Sequence, residues 1–354
     1  LELNTIQLPV FTRLAGVIFE KAVDMVDKIA RNSGLFVVEN IPDNSGETRD
    51  YTEIDLELYA DNKGQGNQAG RAKVQLGYHK VVTAKRIAKD IGITYEMRRF
   101  NKYPEVVRRL TNLAQMPVNR LELDLSHRIG FGASTSYTDK NGATVDITVG
   151  DNTLALFSTV HTLVGSSTTY RNRLAGNPQL SKGALEGMER LISEETLNQF
   201  AEKLTVKFDI LWTTDDPSTC NTALEYLNSV AAPDFANSGV TNVYKAKYKH
   251  VKLPLVPTTA AGAVDNTKRR YWGVASSMIS DAHLGIWEEP HLKTPSELNA
   301  GEEFSTDKFQ LSALWETIRE TSLKFRETLI ETILSETQKW GRATTIIGNL
   351  RAIA

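Results

Sequence analysis

The clearest pattern in the chain is a period-two alternation of apolar and polar positions. Thr52, Ile54, Leu56 and Leu58 fall on one side of an extended run, and Glu53, Asp55 and Glu57 fall on the other. A glycine-rich link follows from Tyr59 to Gly70, with Gly64, Gly66 and Gly70 at its tip. A second alternation then places Ala72, Val74, Leu76 and Tyr78 on one face and Arg71, Lys73 and Gln75 on the other. Two-faced runs of this kind predict strands. The link is longer than a tight hairpin turn, so the pair reads as a projecting arm. A two-stranded ribbon is only marginally stable alone. The arm is therefore expected to lie on another subunit.

Helical spacing governs other stretches. Leu14, Val17, Ile18, Met25 and Ile29 predict an amphipathic helix from Pro9 to Arg31, stopped by Asn32-Ser33-Gly34. Leu35 to Val38 predicts a short strand, and Ile41 to Gly46 a turn. Val81 to Lys89 continues as strand, with a basic patch at Lys85, Arg86 and Lys89, and Ile91 to Met97 adds another. Pro104 suits a first helical turn. Val107, Leu110, Ala114, Leu121, Leu125 and Ile129 then form the stripe of the longest helix, which Gly130-Phe131-Gly132 ends. Pro117 predicts a kink or split in it.

Farther on, Asp139 to Gly142 reads as a turn. Ser181 caps a helix through Leu185, Met188 and Leu191. Leu204 to Trp212 alternates as a strand. Asp216-Pro217 starts a helix whose apolar face carries Cys220, Leu224 and Leu227. Val243 to Val256 predicts a strand, and Tyr271 to Met278 with Leu284 to Glu288 a strand pair. The stretch from Phe309 fits a strand through Trp315, or a helix through Ile333, almost equally. Thr344 to Ile347 predicts a last short strand.

Composition narrows the function. The chain has 354 residues, 41% hydrophobic and 24% charged, with a formal net charge of -2. The length allows about two or three domains with real cores, and the charge does not describe a strongly basic nucleic-acid binder. The single cysteine, Cys220, excludes an internal disulfide and a Cys-rich metal site. It reads as a small buried apolar group. No apolar run reaches membrane-spanning length. The start at Leu1 lacks a secretory signal and an initiator Met, which leaves upstream processing or omission open.

Catalytic patterns are equally thin. The histidines show no His-Glu-x-x-His spacing. Gly64-Gln65-Gly66-Asn67-Gln68-Ala69-Gly70 resembles a dinucleotide fingerprint only superficially, because a strand follows it. There is no P-loop and no Gly-x-Ser-x-Gly elbow. The pairs Glu194-Glu195 and Glu288-Glu289 do not specify a glycosidase geometry, and helix capping accounts for Asp216. No catalytic, cofactor or metal residue is assigned.

Several segments, taken in order, resemble the major capsid protein family of tailed bacteriophages with the Hong Kong 97-type fold. The acidic strand, glycine-rich link and basic strand from Glu47 to Tyr78 resemble its extended loop. Pro104 to Ile129 resembles its spine helix. Leu156-Phe157-Ser158-Thr159-Val160-His161, with Asn172-Arg173-Leu174 and Leu180-Ser181, resembles a stretch leading into a domain helix. Leu211 to Ser229 and Asn237 to Tyr244 resemble strand, helix and loop of the axial domain.

The resemblance implies an α+β fold with an N-terminal arm and helix (1–46), an extended beta loop (47–80) and a peripheral domain with the spine helix (81–150). A mainly axial domain (151–300) and a C-terminal segment (301–354) complete it. It implies self-assembly as a homo-oligomer, through hexamers and pentamers, into an icosahedral shell around packaged double-stranded DNA. That shell is a virion capsid, assembled in the bacterial host cytoplasm. Implied partners are a scaffolding protein, a portal and, in some members, a maturation protease or decoration protein; no membrane and no cofactor are implied. Some members cross-link their loops through a lysine. Lys63 lies in this arm, but nothing nearby identifies such a site.

Charge alternation on an arm with little core of its own nominates Glu53, Asp55, Glu57, Arg71, Lys73, Lys85 and Arg86 as inter-subunit contacts. Within the arm, opposite charges facing across the strands would contribute only about 0.2–1 kcal/mol per pair. Replacing Asp55 and Glu57 by lysine is expected to impair assembly and leave the subunit folded. The alternatives are an encapsulin-like nanocompartment shell, which would package cargo protein, and an α/β enzyme.

Overall fold

The computed structural model describes residues 8–42, 46, 48–65, 68, 70–94, 103–149, 154–231, 241–277, 282–293, 308–321 and 346–347. Helix α1 spans Leu8–Asp24, and β1 Val37–Asn40 follows. Strands β2 (Thr48–Leu56) and β3 (Val74–Thr83) form the arm, and β4 (Lys85–Thr94) leads to the long helix α2, Tyr103–Gly130. Three short antiparallel pairs come next: β5 (Ser136–Thr138) with β6 (Thr144–Asp146), β7 (Thr148–Val149) with β8 (Leu154–Ala155), and β9 (His161–Thr162) with β10 (Thr169–Tyr170). Helix α3 (Lys182–Glu195), β11 (Ile210–Thr213), α4 (Pro217–Asn228) and β12 (Lys249–Lys252) form the next unit. The remaining strands are β13 (Trp272–Ala275), β14 (His283–Ile286), β15 (His291–Lys293), β16 (Lys308–Thr321) and β17 (Ile346–Ile347).

The core is organised around one sheet, ordered β12-β11-β13-β17. β11 and β12 are parallel and joined through α4, as a parallel pair requires a crossover. Every residue of β11 and β13 is buried. Alternation sends Leu211, Trp272 and Val274 to one face, against Leu185 and Met188 of α3 and Ala223 and Leu227 of α4. Ile210, Trp212 and Ala275 go to the other face, against Leu121, Leu125 and Ile129 of α2. Each Leu, Ile, Val or Met side chain among them contributes about 1.5–3 kcal/mol by leaving water. A second sheet, β1-β14-β16-β15 with β4 also on β16, carries the first half of α2. There Phe19 and Ala22 of α1 pack on Leu113 and Ala114.

The caps form as expected. Ser181 Oγ accepts from Ala184 N at 3.2 Å, and Asp216 accepts from Thr219 N at 3.2 Å. Cys220 is buried. Asp139 Oδ1 accepts from Asn141 N and Ala143 N at 2.7 and 3.0 Å, which fixes the β5–β6 turn. The α2 terminus needs its glycines. A Cβ on Gly130 would sit 2.8 Å from Val256 O, and one on Gly132 would sit 2.3 Å from the Phe157 ring.

Several expectations are corrected. Helix α1 stops at Asp24 rather than Arg31, and Glu122 of α2 holds the turn that follows it. Its carboxylate accepts from Ala30 N at 2.6 Å and Arg31 N at 3.1 Å, so those amides are taken from any helical ladder. Helix α2 is not split at Pro117, because packing of Leu113, Ala114 and Val118 outweighs one missing hydrogen bond. The strand expected at Leu204 to Trp212 is limited to β11, since residues 196–204 close a loop through Leu204 N to Thr196 O at 2.9 Å. Of Val243 to Val256 only β12 is strand. Tyr244 and Tyr248 are instead spaced around a turn with Ala246 at φ 55, and both pack under α3 and α4. β13 and β14 belong to different sheets and do not pair. From residue 308 the chain is strand, because β4 offers a partner from Lys308↔Thr94 to Thr317↔Lys85. Gly66 and residues 95–97 lie outside the described residues, as do 232–240 and 322–345.

Candidate assembly interface

The arm is rooted in the body by a small cluster of Ile41, Val82, Tyr51 and Trp287. Beside it, His283 Nδ1 lies 2.6 Å from Glu39 Oε1, Tyr51 OH donates to Glu39 Oε2 at 3.1 Å, and the Tyr51 and His283 rings stack at 4.8 Å. The His283 hydrogen bond holds the Glu39 carboxyl below its usual range, against the opposing effect of burial.

The strands pair from Thr48↔Thr83 to Leu56↔Val74, with a register shift between Thr52 and Ile54. Thr52 faces His79 but Ile54 faces Leu76, so the extra residue is in β3. Such a bulge reverses which side chains point inward. It moves Tyr78 off the face of Val74 and Leu76, where simple alternation had put it. Tyr78 OH reaches Thr162 O at 3.2 Å, and Gln75 Nε2 donates to Val164 O at 2.7 Å. Gly77 is required here: a Cβ would lie 2.2 Å from Glu53 Oε2.

The arm lies on its own chain with its charged face inward. Glu53 and Asp55 are only 1% and 3% exposed. Gln199 Nε2 donates to Glu53 Oε1 at 3.0 Å, and Gln199 N donates to Asp55 Oδ2 at 2.6 Å. Leu58 N donates to Glu202 Oε2 at 2.9 Å, and Lys80 Nζ pairs with Asp146 at 3.0 Å. Asp55 is therefore part of the subunit's interior, and a lysine there disturbs the arm's own seat instead of leaving the subunit intact. Across the strands Glu57 meets its expected basic partner, with Lys73 Nζ at 3.8 Å; Asp55 stands opposite Gln75. Arg71, Lys73, Lys85 and Arg86 are exposed. In register, Lys85 and Arg86 stand opposite Thr317 and Glu316 of β16. Gly64 and Gly70 lie in the link, which encloses a cleft of about 360 Å³ lined by Glu57, Tyr59, Lys63 and Arg71 among others.

The face turned outward is apolar. Val74 is 60% exposed and Leu76 62%, and Leu56, Leu58, Tyr59 and Val81 are exposed beside them. Ile54 and Leu56 stand directly opposite Leu76 and Val74, so these four form one surface. The sequence pattern shows the amphipathic ribbon but not which face its own subunit takes. Gln199, which meets both buried carboxylates, carries no signal in the sequence beyond lying in a polar stretch after α3.

Among the described residues no group of His, Cys, Asp and Glu is arranged to hold a metal ion, and no helix is long and apolar enough to cross a membrane.

No protein-family model matches the chain, and no curated protein does. Solved structures do match, 133 chains in all, and phage particles recur among them. One is from Microbacterium phage Oxtober96, at 14% identity and TM-score 0.43, over 80% of this chain and 82% of that one. The capsid of Myoviridae phage XM1 is similar at 13% identity and TM-score 0.43, over 84% and 92%. A virus-like particle from Pyrococcus furiosus is similar at 9% identity and TM-score 0.40, over 86% and 92%.

Proposed function

We propose that this chain is a shell subunit, the major capsid protein of a tailed bacteriophage with the Hong Kong 97-type fold. It assembles through hexamers and pentamers into an icosahedral shell around double-stranded DNA. The observation that carries this reading is the arm: its polar face is served by its own subunit, and its apolar face is left to solvent. A row of this kind marks an interaction surface. A contact between unlike surfaces of identical chains closes into rings when the rotation permits. The ordered likeness of the sequence to the extended loop, spine helix and axial domain of that family supports the same reading. Each contact needs only modest strength, because closure makes the contacts act together. Glu57, Arg71, Lys73, Lys85 and Arg86 would form the polar rim, with a scaffolding protein and a portal as assembly partners.

Negative-stain electron microscopy after sizing in solution tests the proposal. Closed shells, or pentameric and hexameric rings, are expected, and nucleic acid rather than cargo protein inside shells recovered from infected cells. A strictly monomeric or dimeric protein, with native start and any scaffold supplied, overturns it.

A further inference from the structure

The arm's seat is narrow and polar, and this suggests how its outward face is set. Residues 196–203 form a self-braced loop. Asn198 Oδ1 accepts from Phe200 N at 3.0 Å and Glu202 N at 2.7 Å, Asn198 N donates to Glu202 O at 2.9 Å, and Ala201 takes φ 60. Thr196, Asn198 and Gln199 are all buried. From this loop Gln199 turns both ends of its side-chain amide and its backbone N–H toward the arm and the neighbouring turn. Its amide nitrogen binds Glu53, its backbone N–H binds Asp55, and its Oε1 accepts from Val164 N at 2.9 Å.

By contrast, the apolar clusters described above take arm side chains only at the root, at Tyr51 and Val82. Hydrogen bonds exchange for water at small net cost, whereas a buried carboxylate that loses its donor is strongly penalised. An attachment made of such bonds is selective for one pose and still releasable as a unit.

We infer that residues 196–203 are a latch for the arm, with Gln199 as the positioning residue that turns the apolar face outward toward a second copy of the chain. The role in assembly rests on the shell reading; the latch itself does not.

A short bis-maleimide cross-linker between Gln75→Cys and Val164→Cys, with Cys220→Ala, reads the docked pose directly, because the Gln75 side chain reaches the backbone of Val164 across the seat. The expected product is an intrachain link at monomer mobility, whether or not shells form. A ladder of linked chains, or no link, overturns the latch. In that background Gln199→Leu should slow linking about tenfold, since it removes a hydrogen bond to a charged group. Glu53→Gln keeps the oxygen that accepts from Gln199 but sets an amide NH2 against the Tyr78 N–H, so it should slow linking less than Gln199→Leu. An unchanged rate in Gln199→Leu, with the urea midpoint within error of the parent, overturns the positioning role. Intrachain linking by a protein that never forms rings or shells would sustain the latch and sink the shell reading alone.

Discussion

The central sheet and the arm are both built from alternating strands, yet they are held by opposite physics. In β11 the alternation is between two apolar cores, so Ile210, Leu211 and Trp212 are all buried. In the arm the alternation is between a polar seat and solvent, and it is the carboxylates of Glu53 and Asp55 that are buried. The sheet draws its stability from area removed from water. The arm draws its position from a few directional bonds and leaves its apolar area unspent within the subunit. Stability and assembly should therefore respond to different substitutions.

The largest effect should come from the sheet. Trp212→Ala removes a fully buried side chain from between β11 and α2. A loss of about 3–5 kcal/mol is expected in urea denaturation. A loss no larger than that of an arm substitution would erase the contrast.

Next comes acid. His127 of α2 is buried where Thr258 Oγ1 lies 2.9 Å from its Nε2. The threonine hydroxyl donates to Leu255 O at 2.7 Å. Burial first, then the charges of Lys268, Arg120 and Arg128, lower the His127 pKa from 6.5 to about 4. Lys268 is itself nearly buried, with Nζ 3.2 Å from the Phe131 ring centroid and 3.0 Å from Thr258 O. The folded state therefore holds fewer protons here than the unfolded state between those values. The contribution of His127 is complete above about pH 6.5 and lost as the pH falls toward about 4, by at most about 3 kcal/mol. Urea midpoints across that range, compared with His127→Gln, isolate the slope.

Smaller effects belong to the arm and its seat. Ala201 takes φ 60, a region that suits glycine, so Ala201→Gly should raise subunit stability by at most about 1 kcal/mol. It should also leave the cross-linked pose intact. Leu76→Ser, on the outward face, should change urea stability by less than about 0.5 kcal/mol. It should nevertheless reduce ring or shell formation by electron microscopy. Normal assembly by that variant would show that the exposed row is not the contact surface.

The elements themselves were largely legible in the sequence, because each rests on local chemistry. Ser181 and Asp216 announce their helices as caps, the stripe from Val107 to Ile129 announces α2, and the alternation around Ile54 and Leu76 announces the ribbon. What failed were cases where a distant group competed for the backbone or chose the face. Glu122 takes the amides of Ala30 and Arg31 beyond α1, β4 makes a strand of an ambiguous stretch, and Gln199 meets the acidic face of the arm on the inside. Period and propensity are properties of neighbours along the chain, so the sequence alone determines where the strongly patterned helices and strands arise. Burial and hydrogen-bond pairing depend on neighbours in space. Only the tertiary structure decided that the arm hides the carboxylates of Glu53 and Asp55 and shows its leucines.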